Sequence, residues 1–370
     1  MRSHVDVLVR EALTDAIEGG LFHVRTVPAY AVHEPADPAF GDLTCDVAMV
    51  LARQTGRSPY VIARVLLDRL RDRRGWLDGV EVGGPGFVNF RFGPGFWRML
   101  LEEAVAAGPA FGRRAAGRGR PARVGAAAGS GSSPAEGRRD VVADSLARLF
   151  AASGWRVARG TTAAPGQGIL VALVDAGEHA TSAADPAVVR VVPVGDVRLT
   201  RAGEPMPPAA VAWSDVVREI GEDAARFFVL REAAGNPVEL DLEQARRGGA
   251  NSPLGRVRLA HDRLTGVLHA AGAAGEEGGP RADLALLGEA EHEVVRLVVE
   301  WPDVVGRASH LLEPHHVVAH ALALAGAVHR YYNRHRMRAR MPARLALVRC
   351  ARYVLGGALE LCAVTTAGRM

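Results

Sequence analysis

The chain has 370 residues, 48% of them hydrophobic, and a formal net charge of +4; this fits a soluble protein of two or three domains, without a bilayer-crossing stretch or, around Arg2, His4 and Asp6, a secretion signal. All 45 basic residues are arginine, which excludes Schiff-base and phosphate-gripping lysines and leaves phosphate contacts to arginine, hydroxyls, backbone N–H groups or helix N-termini. Three cysteines, Cys45, Cys350 and Cys362, odd in number and unpaired in spacing, read as buried apolar residues in a reducing cytoplasm, with neither a disulfide frame nor a zinc site.

Residues 1–103 read as one α/β unit. Apolar Val5, Leu8, Val9, Ala12, Leu13 and Ala16 recur at helical spacing over 3–19, ended by Gly19-Gly20. A second helix is expected over 43–56, with Val47, Ala48, Val50 and Leu51 on its apolar face. Ser58 caps a third with Pro59 in its first turn, burying Val61, Ile62, Val65, Leu66 and Leu70. Val80 to Val82 and Phe87 to Phe92 read as strands around a Gly-Pro-Gly turn.

Residues 104–139 hold seven arginines, one acid (Glu136) and much Ala, Gly and Ser, the composition of a flexible basic linker. The Gly-Ser run at 129–133 lacks the Gly-Lys-Ser/Thr ending of a phosphate loop. Residues 140–235 alternate helix (141–152, 215–220, 223–233) with strand (156–158, 169–174, 188–199), a small α/β layer. Residues 251–370 read as about five helices in a bundle, starting at Ser252-Pro253, Asp283, Pro314 and Pro342.

The last helical pair carries the strongest chemical signal. From Gly326 to Met370 there are nine arginines and one acid, Glu360, interleaved with Tyr331, Tyr332 and Asn333. Arginine attracts phosphate, while tyrosine and asparagine stack on bases and bond their edges. A solvated basic face with its tyrosines in the core has the same composition. His315, His316 and His320 share one expected helix, but no third-ligand pattern follows, so a surface helix is the simpler reading than a metal site. Asp175, Glu178 and His179 read as a strand end rather than as acid–base machinery.

Several stretches together resemble the arginyl-tRNA synthetase family. Asp223-Ala-Ala-Arg-Phe-Phe-Val-Leu-Arg231, Val257-Arg-Leu-Ala-His-Asp-Arg263, Tyr331-Tyr-Asn-Arg334, Arg344-Leu-Ala-Leu-Val-Arg349 and the closing Ala367-Gly-Arg-Met370 resemble its helical, DALR-type anticodon-binding domain. Ala39-Phe-Gly-Asp-Leu43 and Gly84-Pro-Gly-Phe-Val-Asn-Phe90 resemble its N-terminal additional domain. The resemblance implies an α/β N-terminal domain (1–103), the linker (104–139), a reduced Rossmann-like centre (140–235) and an all-α bundle (236–370).

The centre departs from the family pattern. Where the family has His-x-Gly-His at a helix start, this chain reads Ser133-Pro-Ala-Glu136, and its Lys-Met-Ser-Lys loop is replaced by Met206-Pro-Pro-Ala-Ala210 after Gly203-Glu-Pro205. Gly137, Arg138 and Arg139 mark the vestigial nucleotide site. Arg138, Arg139 or Arg201 as substitute phosphate contacts would not restore the rest of the machinery. The resemblance therefore implies a tRNA-binding protein, tRNA-Arg being the expected RNA, with no catalytic residues, no metal and no cofactor. It contacts the D-loop through Phe87, Asn89 and Arg91, with Val88 and Phe90 packed inward. Tyr331, Tyr332, Asn333, Arg336, Arg349 and Arg352 lie on the anticodon side. Three alternatives remain: an arginine–tRNA ligase of reduced or altered activity, which would use ATP; a regulatory partner of a full-length synthetase; and a pseudogene-like remnant.

Overall fold

The computed structural model describes residues 1–370 apart from 25, 71, 73, 127–132, 161–168, 176–188, 208–210, 250–251, 273–283, 285–286, 336–341 and 367–370. The chain forms two units, Met1–Glu102 and Glu103–Met370.

In the first unit, α1 (Arg2–Glu18) buries Val5, Leu8, Val9, Ala12, Leu13 and Ala16, the stripe its spacing predicts. The 43–56 segment is not one helix. It divides into β2 (Leu43–Cys45) and α2 (Val47–Thr55). A short apolar run suits either state, and here pairing decides: β2 lies between β1 (Val32–His33) and β4 (Phe87–Phe92). Helix α3 (Pro59–Arg69) starts at the proline, but Ser58 makes no side-chain cap bond. It buries Ile62, Ala63 and Leu66, while Val61 is exposed. With β3 (Leu77–Gly83) the antiparallel sheet runs β1-β2-β4-β3, and α4 (Pro94–Ala107) follows.

The Phe40-Gly-Asp signature has a local reason. Gly41 has φ +116°, and a Cβ there would sit 2.7 Å from the Phe90 carbonyl oxygen; only glycine allows this approach. Asp42 then donates its N–H to that oxygen (2.8 Å) and accepts the Phe92 N–H on its carboxylate (2.8 Å), fastening the turn to β4.

In the second unit, the expected linker is largely ordered structure. β5 (Pro121–Ala126) lies in the middle of a parallel sheet, paired with β6 (Arg156–Arg159) on one side and β7 (Ile169–Asp175) on the other, and β8 (Val189–Val194) completes the order β6-β5-β7-β8. Ala122 and Val124 are buried. With parallel partners on both edges, small residues suffice, so composition concealed it. Helix α5 (Pro134–Ala152) begins inside the same stretch.

The expected single strand over 188–199 breaks at Gly195-Asp196. Its second half, β9 (Val197–Arg201), belongs to another sheet, ordered β10-β9-β11, with β10 (Glu204–Pro205) antiparallel and β11 (Val238–Asp241) parallel to it. Helices α6 (Trp213–Ile220), α7 (Glu222–Val229) and α8 (Leu242–Arg247) flank these strands. The bundle comprises α9 (Pro253–Ala270), α10 (Glu289–Leu311), α11 (His315–His335) and α12 (Pro342–Leu361), four helices among the described residues. Ser252 caps α9 by accepting the Gly255 N–H at 3.0 Å; the expected start at Asp283 lies outside the described residues. Centre and bundle, expected as separate domains, share one unit. Trp301 donates its indole N–H to the Phe111 carbonyl (3.2 Å), Ser145 donates to that of Leu361 (2.8 Å), and Arg258 pairs with Asp223.

Candidate nucleic-acid interfaces

The start of α5 is where a βα unit of this kind offers backbone N–H groups to an anion, beside the carboxyl end of β5 and the reversal of strand order. Here the position is filled from within. Ser133 Oγ accepts the Glu136 N–H at 3.2 Å, and the Glu136 carboxylate accepts the Ser133 N–H at 2.9 Å. Arg139 lies 3.8 Å from Glu136, and both are engaged within the protein. A Cβ on Gly137 would come within 2.2 Å of the Trp213 indole, which covers it.

Arg138 is fully buried. Its guanidinium donates to four backbone carbonyls: Val229 (3.3 Å), Gly195 (2.8 Å), Asn236 (2.5 Å) and Ala233 (3.0 Å). Burial pulls its pKa down to about 10 against the opposing pull of Glu232, Glu313 and Asp196, so it stays cationic at neutral pH. At the expected vestigial site Gly137, Arg138 and Arg139 are all buried, and the Arg138 guanidinium is spent on backbone carbonyls. Arg201, the other expected phosphate substitute, is held by both oxygens of Glu219 at 2.9 and 2.8 Å.

On β4, Val88 and Phe90 point into the core as alternation requires, Phe87 is half-buried and Arg91 exposed. Arg91 donates to the Ala39 carbonyl at 2.9 Å. Asn89 departs from the expectation of an open contact residue, being only 4% exposed. Its amide lies over Gly83 of β3, where a Cβ would come within 2.5 Å of Nδ2, and Thr44 of β2 stands opposite it. Asn89 is a buried residue of the sheet.

On the bundle, the two adjacent tyrosines separate. Tyr331 is buried and donates its hydroxyl to Glu291 at 2.6 Å, so its expected RNA contact is corrected to a core role. Glu291 also accepts from Arg344 Nε (2.9 Å) and the Gly288 N–H (3.0 Å). Burial pushes the Glu291 carboxyl up, but the bonds from Tyr331, Gly288 and Arg344 outweigh it and hold its pKa below the usual value. Sequence reasoning missed Glu291 because an acid in a helix first turn looks like an ordinary cap.

Tyr332 is half-buried, with the Arg263 guanidinium 5.0 Å from its ring centroid. Arg263 donates to His329 Nδ1 (2.9 Å), and His329 Nε2 donates to the Arg256 carbonyl (2.9 Å). A carbonyl only accepts and a guanidinium only donates, so His329 is neutral with its proton on Nε2. Burial, then Arg263 and Arg256, lower its pKa. Asn333 and Arg334 are exposed beside this cluster; Arg336 lies outside the described residues. Arg349 and Arg352 are half-buried on α12, and Arg352 lies 5.1 Å over the Tyr353 ring. Arg330 is ion-paired with Glu293. The surface thus combines a cation-stacked tyrosine with exposed arginine and asparagine, groups suited to bases and phosphates.

The remaining histidines have other work. His320 bonds the Leu297 carbonyl (2.8 Å) and stacks on Trp301, while His315 meets Glu313 at 3.0 Å. Among the described residues no group of three side chains could hold a metal, and none of their helices is long and apolar enough to cross a membrane. Cys45, Cys350 and Cys362 are buried and free, their thiols pushed up to about 12 by burial.

Comparison with known proteins agrees with both ends of the chain. The profile described as the arginyl tRNA synthetase N terminal domain matches residues 4–92, and that of the DALR anticodon binding domain matches residues 257–370. An arginine–tRNA ligase of Anaeromyxobacter dehalogenans is 36% identical over 164 residues, 43% of this chain and 27% of the relative. One from Cereibacter sphaeroides is 30% identical over 268 residues, 68% of this chain and 45% of the relative. The chain thus spans less than half the length of the curated relatives it matches. The Thermus thermophilus arginyl-tRNA synthetase structure aligns over 100% of both chains with a TM-score of 0.73 at 13% identity, a likeness of fold. With both terminal domains matched in the same order and the fold shared, the chain belongs to the arginyl-tRNA synthetase family.

Proposed function

We propose that this chain binds tRNA, with tRNA-Arg as its preferred RNA, and does not itself form an aminoacyl adenylate. Two surfaces support binding: the β4 row of Phe87, Asn89 and Arg91, for the D-loop, and the Tyr332–Arg263 face with Asn333 and Arg334, for the anticodon arm. The observation that carries the non-catalytic half is the reciprocal Ser133–Glu136 cap, which sets a carboxylate where α5 would otherwise offer its N–H groups to phosphate.

The names of the curated relatives favour a second reading, arginine–tRNA ligation. ATP–pyrophosphate exchange decides between them. We expect no arginine-dependent exchange, with or without tRNA, because losing several transition-state contacts at ~3 kcal/mol each suppresses the rate by many decades. Robust exchange by protein freed of host synthetase would overturn the non-catalytic reading, while filter binding of tRNA-Arg tests the other half on its own.

A further inference from the structure

No Asp or Glu occurs between Glu103 and Glu136 or between Asp144 and Asp175, yet both stretches are rich in arginine. Folding lays them side by side. β5 pairs in parallel with β6, Pro121 opposite Arg156 and Arg123 opposite Ala158. Alternation then puts Arg123 and Arg156 on one face of strands about 5 Å apart. The turn before β5 is laced to the start of β6. The Gly117 N–H donates to the Ser153 carbonyl and the Gly119 N–H to that of Gly154, both at 2.8 Å, and the Arg156 N–H donates to that of Arg120 at 2.9 Å. Arg118, Arg120, Arg123 and Arg156 therefore gather at the starting end of β5 and β6. Three of them are exposed and Arg123 is half-buried.

Other arginines of the same stretches are spent on acids. Arg113 meets Glu360 at 3.7 Å, Arg114 meets Asp303 at 3.8 Å and Arg148 meets Asp144 at 3.6 Å. None of the four has a carboxylate partner among the described residues. Charges on an edge strand keep other strands away, which suits Arg156, but β5 is an interior strand and the turn before it belongs to no sheet. The turn is also strained and braced. Arg118 has φ +47°, a backbone that glycine takes freely and arginine does not. The Arg120 guanidinium lies 4.5 Å over the Trp155 ring, and Arg156 Nε donates to the Gly119 carbonyl at 2.7 Å. A merely solvated face needs neither the strain nor the bracing.

The chemistry of the patch selects its partner. The arginine fork matches phosphate oxygens. Gly117, Gly119, Pro121 and Ala158, which lie between the arginines, offer no large apolar anchor for the core of a protein interface. Trp155 is already covered, by Arg120, by Phe150 edge-on at 5.7 Å, and by Gly117, where a Cβ would come within 2.6 Å of the indole. No free ring is left to stack on an unpaired base. Such a surface holds a backbone and does not read bases.

We infer that Arg118, Arg120, Arg123 and Arg156 form a third RNA contact, which grips phosphates of a base-paired segment of the bound tRNA without reading its sequence. The inference rests on the tRNA-binding reading above and adds a surface in the centre of the chain, apart from the two already assigned.

Two variants of the full chain test it by filter binding at about 100 mM salt and over a salt series. Arg118→Gly relieves the left-handed backbone, so its urea midpoint should be unchanged or higher while its affinity for a tRNA-Arg transcript falls about fivefold and the salt slope drops by about one. Arg118→Gly combined with Arg123→Gln should lose about 25-fold and lower the slope by about two. The same ratios are expected on a transcript of another tRNA, whatever its absolute affinity. Parental affinity and slope in the double variant, or a loss confined to one of the two tRNAs, would overturn the phosphate contact and leave tRNA binding standing. Absence of binding by the parent chain to tRNA-Arg would overturn both.

Discussion

Arg138 carries a full guanidinium in a site with no exposed surface, and its five N–H groups explain why arginine stands there: four carbonyls from 195–236 converge on it. Removing it would strip a charged donor from all four; among the described residues the Ala233 carbonyl alone keeps another partner, the Asn236 N–H at 3.0 Å. We predict that Arg138→Met lowers the free energy of unfolding by ~3–5 kcal/mol in urea titrations, and that Arg138→Lys recovers little, because an ammonium cannot reach the same fork of acceptors. A variant as stable as the parent would mean that the carbonyls find other partners. His320 carries a second residue-level consequence. Burial, aided by Arg296, pulls it from 6.5 to about 4, against the bond to the Leu297 carbonyl. The folded value lies below the unfolded one, so its contribution is complete above 6.5 and is lost as pH falls towards 4. The full extent is about 3 kcal/mol. His320→Gln keeps a donor for Leu297 and removes the titration, so its stability should fall less steeply over that interval than the parent's. Equal slopes would assign the acid sensitivity to other groups.

At the scale of elements, α5 and β5 decide what the centre can do. The Ser133 cap should contribute about 1 kcal/mol, so Ser133→Ala is expected to lower stability by that amount, measured by chemical unfolding. A loss near zero would mean that Glu136 holds the helix start alone. The cap pattern was present but unread: a serine followed three residues later by glutamate, with proline between, is a helix-start pattern, yet the composition of 104–139 reads as a linker and the helix was expected only from 141. β5 left no such pattern, because Pro121–Ala126 has few large apolar residues and borrows its stability from β6 and β7 on either side. The same physics split the expected 43–56 helix, since Leu43 to Cys45 answer to β4 across the sheet and not to their own periodicity. Local patterns specify elements that bury one face of themselves; they are silent where a partner strand distant in sequence supplies the missing bonds.

For the whole molecule, the charge available to RNA is smaller than the arginine count suggests. Arg330 pairs with Glu293 and Arg344 with Glu291, while in the expected linker Arg114 reaches Asp303 and the Pro302 carbonyl and Arg138 is sealed inside. With about three phosphates neutralised, tRNA affinity should fall roughly 40-fold between about 50 and 200 mM salt. A flat response in filter binding would favour a protein partner such as a full-length synthetase. A minihelix without D-loop and anticodon should bind poorly, and binding equal to that of full tRNA would place the RNA on a different surface. The sequence by itself determined the family, the order of its terminal domains and the helical character of the C-terminal region, because glycine turns, proline starts and apolar spacing are local and survive in one dimension. Tertiary structure alone decided which polar residues are available. It buried Arg138, Tyr331 and Asn89, and brought Arg263 over Tyr332. Burial and pairing depend on what the rest of the chain lays against a side chain, and neighbours in sequence do not record that.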